Sequence, residues 1–244
     1  MPALLLVLFS FALSISMGII IVVCRRARIK PLAPQRICPV APPISYFSER
    51  RCFFRRPNCW LAVKHRNLRV VQTALGLHHP KPCSWSEGLT GDEKLFIAPP
   101  VKGWTLVTGL RLPDPSEDVD ASFRFLLELS RKLGQVQLFC ASRVLHHHAW
   151  IKVERGRVVR AYAWAGKTVW NQGARTPAER ELCLKCFDYC ETVQRVPFGQ
   201  LDLISANVDK VPLLAARWSL DPARIDARFL ETECGIAGEP SWRY

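Results

Sequence analysis

The chain has 244 residues, ten of them cysteine, with 49% apolar residues and a formal net charge of +13. That length allows one domain with a sizeable core in addition to a leading segment. Thirteen Lys and Arg against one acid, Glu49, lie between Arg25 and Lys81, and twenty-one against twenty lie from Pro82 onward. The basic excess is therefore local, which argues against reading the whole chain as nucleic-acid binding.

Residues 2–24 form an apolar run without a charged side chain, closed by Arg25, Arg26, Arg28 and Lys30. About 20 apolar residues at 1.5 Å rise cross a hydrocarbon core, so the run predicts a single transmembrane helix. A cleaved signal fits less well, because no basic residue precedes the run and bulky Val23 stands where a cleavage site wants a small one. A start at Met17 is a further alternative. The basic flank predicts the distal chain on the cytoplasmic side, where its cysteines are mostly reduced. The number of cysteines pulls the other way, toward disulfides in an oxidising compartment. No N-x-S/T site is present, in keeping with a non-secreted chain.

Residues 31–43, PLAPQRICPVAPP, read as a semi-extended linker. Next, Arg50, Arg51, Arg55 and Arg56 bracket Phe53 and Phe54. With Arg25, Arg26, Arg28 and Lys30 they predict a contact to anionic lipid, or alternatively a solvated tether. The expected organisation is an anchor over 2–24, a basic Pro-rich tether over 25–57 and a globular α+β domain over 58–244.

In the domain, Asn58 is expected to cap a helix from Trp60 to Leu75, stopped by Gly76. His78 to Pro82 reads as loop. Leu95–Ala98 and Trp104–Thr108 read as short strands of a hairpin. Asp118 or Asp120 caps a helix to Leu133, closed by Gly134. Strands follow over Val136–Ala141, His147–Glu154 and Arg157–Ala165, the last two joined at Arg155-Gly156. Ala149, Ile151 and Val153 share one face, and Trp150, Lys152 and Glu154 the other. After an irregular stretch, Thr176-Pro177-Ala178-Glu179 opens a helix to about Tyr189. Asp209–Trp218 is a further helix, broken at Ser219 to Pro222, where a short last one opens. Neighbouring strands imply an antiparallel sheet with packed helices.

The segments FIAPPVKGWTLVTG, LGQVQLFCASRVLHHHAWIKVERGRVVRAYAWAG and VPLLAARWSLDP resemble an uncharacterised family of bacterial proteins of unknown function. The resemblance spans about 60–230 and implies a bacterial single domain without any assigned activity.

His146 and His148, alternate residues at a strand start, are candidate metal ligands. So are Cys183, Cys186 and Cys190, which fall on one stripe of the expected helix. Polar clustering and core packing are the competing readings of these two groups. Cys140 followed by His147 is a weak nucleophile pattern, with no orienting acid or amide. No G-x-S-x-G, P-loop, H-E-x-x-H or dinucleotide fingerprint occurs, so no cofactor is implied and no catalytic residue is assigned. Trp150 and Trp164 form a binding surface if their face is exposed. The expected function is a membrane-anchored cytoplasmic protein-interaction module, with the membrane and a protein as partners. A metal- or thiol-dependent enzyme using His146, His148 and cysteines is one alternative. Binding of anionic lipid or nucleic acid through the tether is the other, nucleic acid being the less favoured ligand.

Overall fold

Nine strands pair into one antiparallel sheet because their central members are apolar on both faces. In chain order, β1 spans Cys59–Val63, α1 Leu68–Ala74, β2 Leu77–Cys83, α2 Trp85–Thr90, β3 Leu95–Ile97 and β4 Thr105–Thr108. Helix α3 spans Val119–Leu133, β5 Gln135–Ser142, β6 His147–Glu154, β7 Arg157–Trp164 and β8 Thr168–Gln172. Then come α4 at Pro177–Glu181, α5 at Leu201–Trp218, a 3₁₀ turn at Pro222–Arg224 and β9 at Gly235–Pro240. The strand order is β2-β9-β3-β4-β1-β5-β6-β7-β8. The structure is a computed structural model and describes residues 58–90, 93–189, 201–225 and 233–242, with the side chains of 201–203 outside that description. All of these lie in one compact unit, Glu49–Tyr244. Among the described residues no helix is long and apolar enough to cross a membrane. The expected anchor and tether lie outside them.

The expected α+β class with an antiparallel sheet holds, and helices cover both faces of that sheet. On one face Leu61, Val63, Leu138, Ile151 and Val153 pack with Val71 and Leu75 of the α1 turn and Leu126, Leu129 and Leu133 of α3. On the other, Trp60, Phe139, Trp150 and Tyr162 pack with Leu184, Phe187 and the Val211, Leu214 and Ala215 stripe of α5. Helix α2 joins this second face through Trp85 and Leu89. Gly88 touches the sheet so closely that a Cβ there would lie 2.3 Å from the Phe96 ring. Each large apolar side chain so buried contributes about 1.5–3 kcal/mol relative to exposure.

Burial from both sides explains the main correction to the sequence reading. The expected helix over Trp60–Leu75 is a strand, a loop and a shorter helix. Trp60, Leu61, Ala62 and Val63 are all fully buried, as a central strand covered on both faces requires. Such a strand reads as a continuous apolar run, which a helical stripe imitates. The true N-cap is Asn67, whose Oδ1 accepts from the N–H groups of Arg69 and Val70. Similarly, the expected loop at His78–Pro82 lies within β2. A strand at the sheet edge tolerates proline because one of its sides needs no ladder bond, and the β2–β9 register shifts between His78 and Lys81.

The hairpin of β3 and β4 forms as expected. Helix α3 is capped by Asp118, whose Oδ1 accepts from Ala121 N–H at 2.9 Å, and ends at Gly134 with φ +84°. Strands β6 and β7 pair across Arg155-Gly156, both at positive φ. The irregular stretch after Gly166 contains β8, paired with β7.

Candidate functional site

Two side-chain groupings carry chemistry, one on each face of the sheet. The first lies at the sheet end where β1 and β6 begin and β5 and β7 finish. Cys59 and Cys140 are directly opposed residues of β1 and β5, and a disulfide joins them. On the same face, Asp114 arrives from the β4–α3 connection. Its Oδ1 accepts from Ser116 N–H at 2.8 Å, and its Oδ2 lies 3.9 Å from Cys59 Sγ. A cavity of about 20 Å³ adjoins them, lined also by His147, His148 and Trp164. Among the described residues, Cys59, Asp114 and Cys140 are the group whose potential ligand atoms all lie within 4.8 Å of one another. The sequence hid this site because its members are 81 residues apart. The signal was there in Cys140, which alone of the three was singled out. Cys59 falls between the expected cap Asn58 and the expected helix start at Trp60, and Asp114 lies in the connection between two expected elements.

The second grouping is a polar network under α4. Arg160 and Glu179 are both buried, and Arg160 Nε donates to Glu179 Oε1 at 2.8 Å. Trp150 Nε1–H donates to the same oxygen at 2.8 Å. Glu179 Oε2 accepts from Thr176 N–H at 2.7 Å, and Glu179 N–H donates to Thr176 Oγ1 at 3.3 Å, closing the capping box. Arg160 Nη1 donates to Asn171 Oδ1 at 2.8 Å and Nη2 to Cys186 Sγ at 3.0 Å. Burial pushes the Cys186 thiol up to about 11, against the opposing pull of Arg160. Burial likewise pushes Cys83 up to about 11. At neutral pH both are thiols, the form that is neither a nucleophile nor a metal ligand.

Of the other sequence candidates, Cys186 joins the second grouping and His148 lines the first cavity and stacks on Trp150, so neither the histidine pair nor the cysteine stripe forms the expected ligand set. Helix α4 ends at Glu181, not near Tyr189, because Cys183 turns the chain at φ +51°. Cys183 is disulfide-bonded and Cys186 is a free thiol beside Arg160, so they share no helical stripe. Cys190 lies outside the described residues. His146 sits in the β5–β6 turn at φ +52°, exposed, 3.2 Å from Ser205 Oγ. His148 is buried and stacks on Trp150, with ring centroids 5.6 Å apart. Asn207 Oδ1 accepts from Lys185 N–H, and Asn207 Nδ2 donates to Lys185 O and to His148 Nε2. That assignment makes Nε2 an acceptor, and burial lowers the His148 pKa to about 3.

Trp150 and Trp164 are also buried, at 0% and 1% exposure, so they form no binding surface. They belong to a cross-strand aromatic row. Trp60 faces Phe139, Phe139 faces Trp150, and Trp150 faces Tyr162. Their successive centroids are 5.5 Å apart for Trp60–Phe139 and 4.8 Å apart for Trp150–Tyr162.

An open seam lies between α1 and α3. One groove of about 500 Å³ is lined by Thr73, Ala74, Arg124, Phe125, Glu128 and Trp242, among others. A second of about 500 Å³ shares Thr73, Ala74 and Lys132 with it and adds Arg69, Val70 and Leu133. The Phe125 and Trp242 rings meet in the first groove at a 57° tilt, with centroids 5.2 Å apart. Lys132 pairs with Glu128 at 2.8 Å, whereas Arg69 and Arg124 have no ion-pair partner among the described residues. No family model, no curated protein and no solved structure matches the chain.

Proposed function

We propose that the chain is a membrane-tethered interaction protein whose domain docks an acidic, apolar peptide segment of a protein partner in the α1–α3 seam. The observation that carries this reading is the pairing of an apolar floor, Val70, Ala74, Phe125, Leu133 and Trp242, with the cations Arg69 and Arg124, which have no ion-pair partner among the described residues. Apolar grooves with a few polar groups at the rim recognise peptide segments through anchor side chains, and complementary charge fixes their orientation. No catalytic step is part of the proposal. The apolar run at 2–24 and its basic flank support an anchor with the domain on the cytoplasmic side.

The test is selection of peptides from a displayed random library on the full chain in detergent. Selected peptides should combine Asp or Glu with aromatic or aliphatic anchors. Arg69→Glu with Arg124→Glu should weaken them at least about tenfold, equivalent to about 1.4 kcal/mol. Lys167→Glu, in the exposed β7–β8 turn, should leave them unchanged. Selected peptides without acidic residues, or affinity indifferent to the arginine pair, would contradict the proposal.

A further inference from the structure

We infer that Cys59, Cys140 and Asp114 form a zinc-class metal site that exists only when the Cys59–Cys140 bond is reduced. The inference goes beyond the docking reading and does not depend on it. Backbone pairing, not the bond alone, keeps the two sulfurs together. Cys59 and Cys140 are opposed residues of neighbouring central strands, with Cα atoms 4.1 Å apart. Breaking the disulfide leaves both thiols on the same face of the sheet. Asp114 is held in place independently. Ser116 N–H binds its Oδ1, and Glu117 N–H and Asp118 N–H both donate to its backbone oxygen. Its other carboxylate oxygen is left facing Cys59 Sγ at 3.9 Å.

That spacing suits one small cation. Zinc takes sulfur at about 2.3 Å and carboxylate oxygen at about 2.0–2.2 Å, so tetrahedral ligands of those kinds lie about 3.5 Å from each other. The adjoining cavity of about 20 Å³ has room for one such centre or water. His147 lines the same cavity, and its buried Nδ1 has no hydrogen-bond partner among the described residues, but its ring stands outside the cluster of three, so the fourth corner is left to water. Two thiolates with a carboxylate favour zinc or cobalt over magnesium and calcium, which take oxygen ligands.

The chemistry makes the site conditional. A disulfide sulfur is no thiolate, so the oxidised pair holds no metal there. An external dithiol supplies two electrons and two protons to the Cys59–Cys140 bond and becomes a disulfide itself, leaving two thiols. Binding of Zn²⁺ then releases both protons to solvent as the thiolates ligate. Cytoplasmic thiol buffers favour the reduced, metal-binding state, and an oxidising compartment favours the cross-link.

The experiment uses the full chain in detergent, reduced with a phosphine that is then removed under argon. Cobalt titration should give the thiolate-to-cobalt charge-transfer band, displaced by Zn²⁺. With Zn²⁺ bound, peptide mapping should show Cys59 and Cys140 protected from alkylation relative to the reduced, metal-free chain. Asp114→Asn keeps an acceptor for Ser116 N–H and removes the charge. It should fold, judged by its near-ultraviolet circular dichroism, and weaken Zn²⁺ at least about tenfold. Cys59→Ser should abolish protection of Cys140. The inference fails if reduced chain takes up no cobalt, if Cys59 and Cys140 alkylate equally with and without Zn²⁺, or if Asp114→Asn binds as tightly as the parent.

Discussion

At the scale of single residues, the buried Arg160–Glu179 pair is the most consequential interaction of the fold. Glu179 Oε1 accepts from both Arg160 and Trp150, so one carboxylate ties β6 and β7 to the start of α4. Glu179→Ala should cost about 3–5 kcal/mol, because it strands a buried guanidinium. Arg160→Met with Glu179→Leu should cost less than the sum of the single changes, measured by denaturant unfolding. His148 sets a pH dependence of known sign. Its folded pKa is lowered to about 3 by burial, against about 6.5 unfolded. Between those values the unfolded chain binds the extra proton. Stability therefore falls as pH drops through that window, by up to about 1.4 kcal/mol per pH unit from this group. Unfolding midpoints of His148→Leu should show a shallower acid limb than the parent, and equal slopes would assign that limb to other groups.

At the scale of elements, what could be read in advance follows from where each element is solvated. Helix α3 was legible end to end. One face is exposed, so its apolar stripe stands out, and Asp118 and Gly134 mark its termini. Strands β6 and β7 were legible from the Arg155-Gly156 turn and from the alternation of Ala149, Ile151 and Val153. Strand β1 was not, since full burial on both faces removes periodicity. Strands β2 and β9 were missed for a different reason. Pro80 and Pro82 in β2, and Gly235, Gly238 and Pro240 in β9, carry turn chemistry into an edge pairing. Helix α4 began at the residues its capping box specified and then stopped after five. There Arg160 and the bonds of Phe187 to Tyr162 and Thr168 draw residues 182–189 onto the sheet, and Asn207 of α5 holds Lys185 from the other side. The candidate site suffered most. Cys140 was visible, but its partners Cys59 and Asp114 meet it only through β1–β5 pairing and the long β4–α3 connection.

At the scale of the whole molecule, the two faces of the sheet divide the work. The face under α5 is closed by the aromatic row Trp60, Phe139, Trp150 and Tyr162 and by the Arg160 network, and it stores stability. The face under α1 and α3 leaves the seam with its apolar floor and two arginines that have no ion-pair partner among the described residues. The Cys59–Cys140 pair lies at one end of this second face, so its redox state links the sheet to the chemistry of the surrounding compartment. The proposed anchor places that compartment beside a membrane, and the near-neutral charge from Pro82 onward leaves recognition to local charge.

The docking seam is the central claim, and hydrogen exchange of the full chain with and without a selected acidic peptide tests it most directly. The account predicts slowed exchange confined to Leu68–Ala74, Val119–Leu133 and the segment around Trp242, with the rest of the domain unchanged. Protection centred instead on α5 or on the β7–β8 edge, with none along α1 and α3, would contradict it.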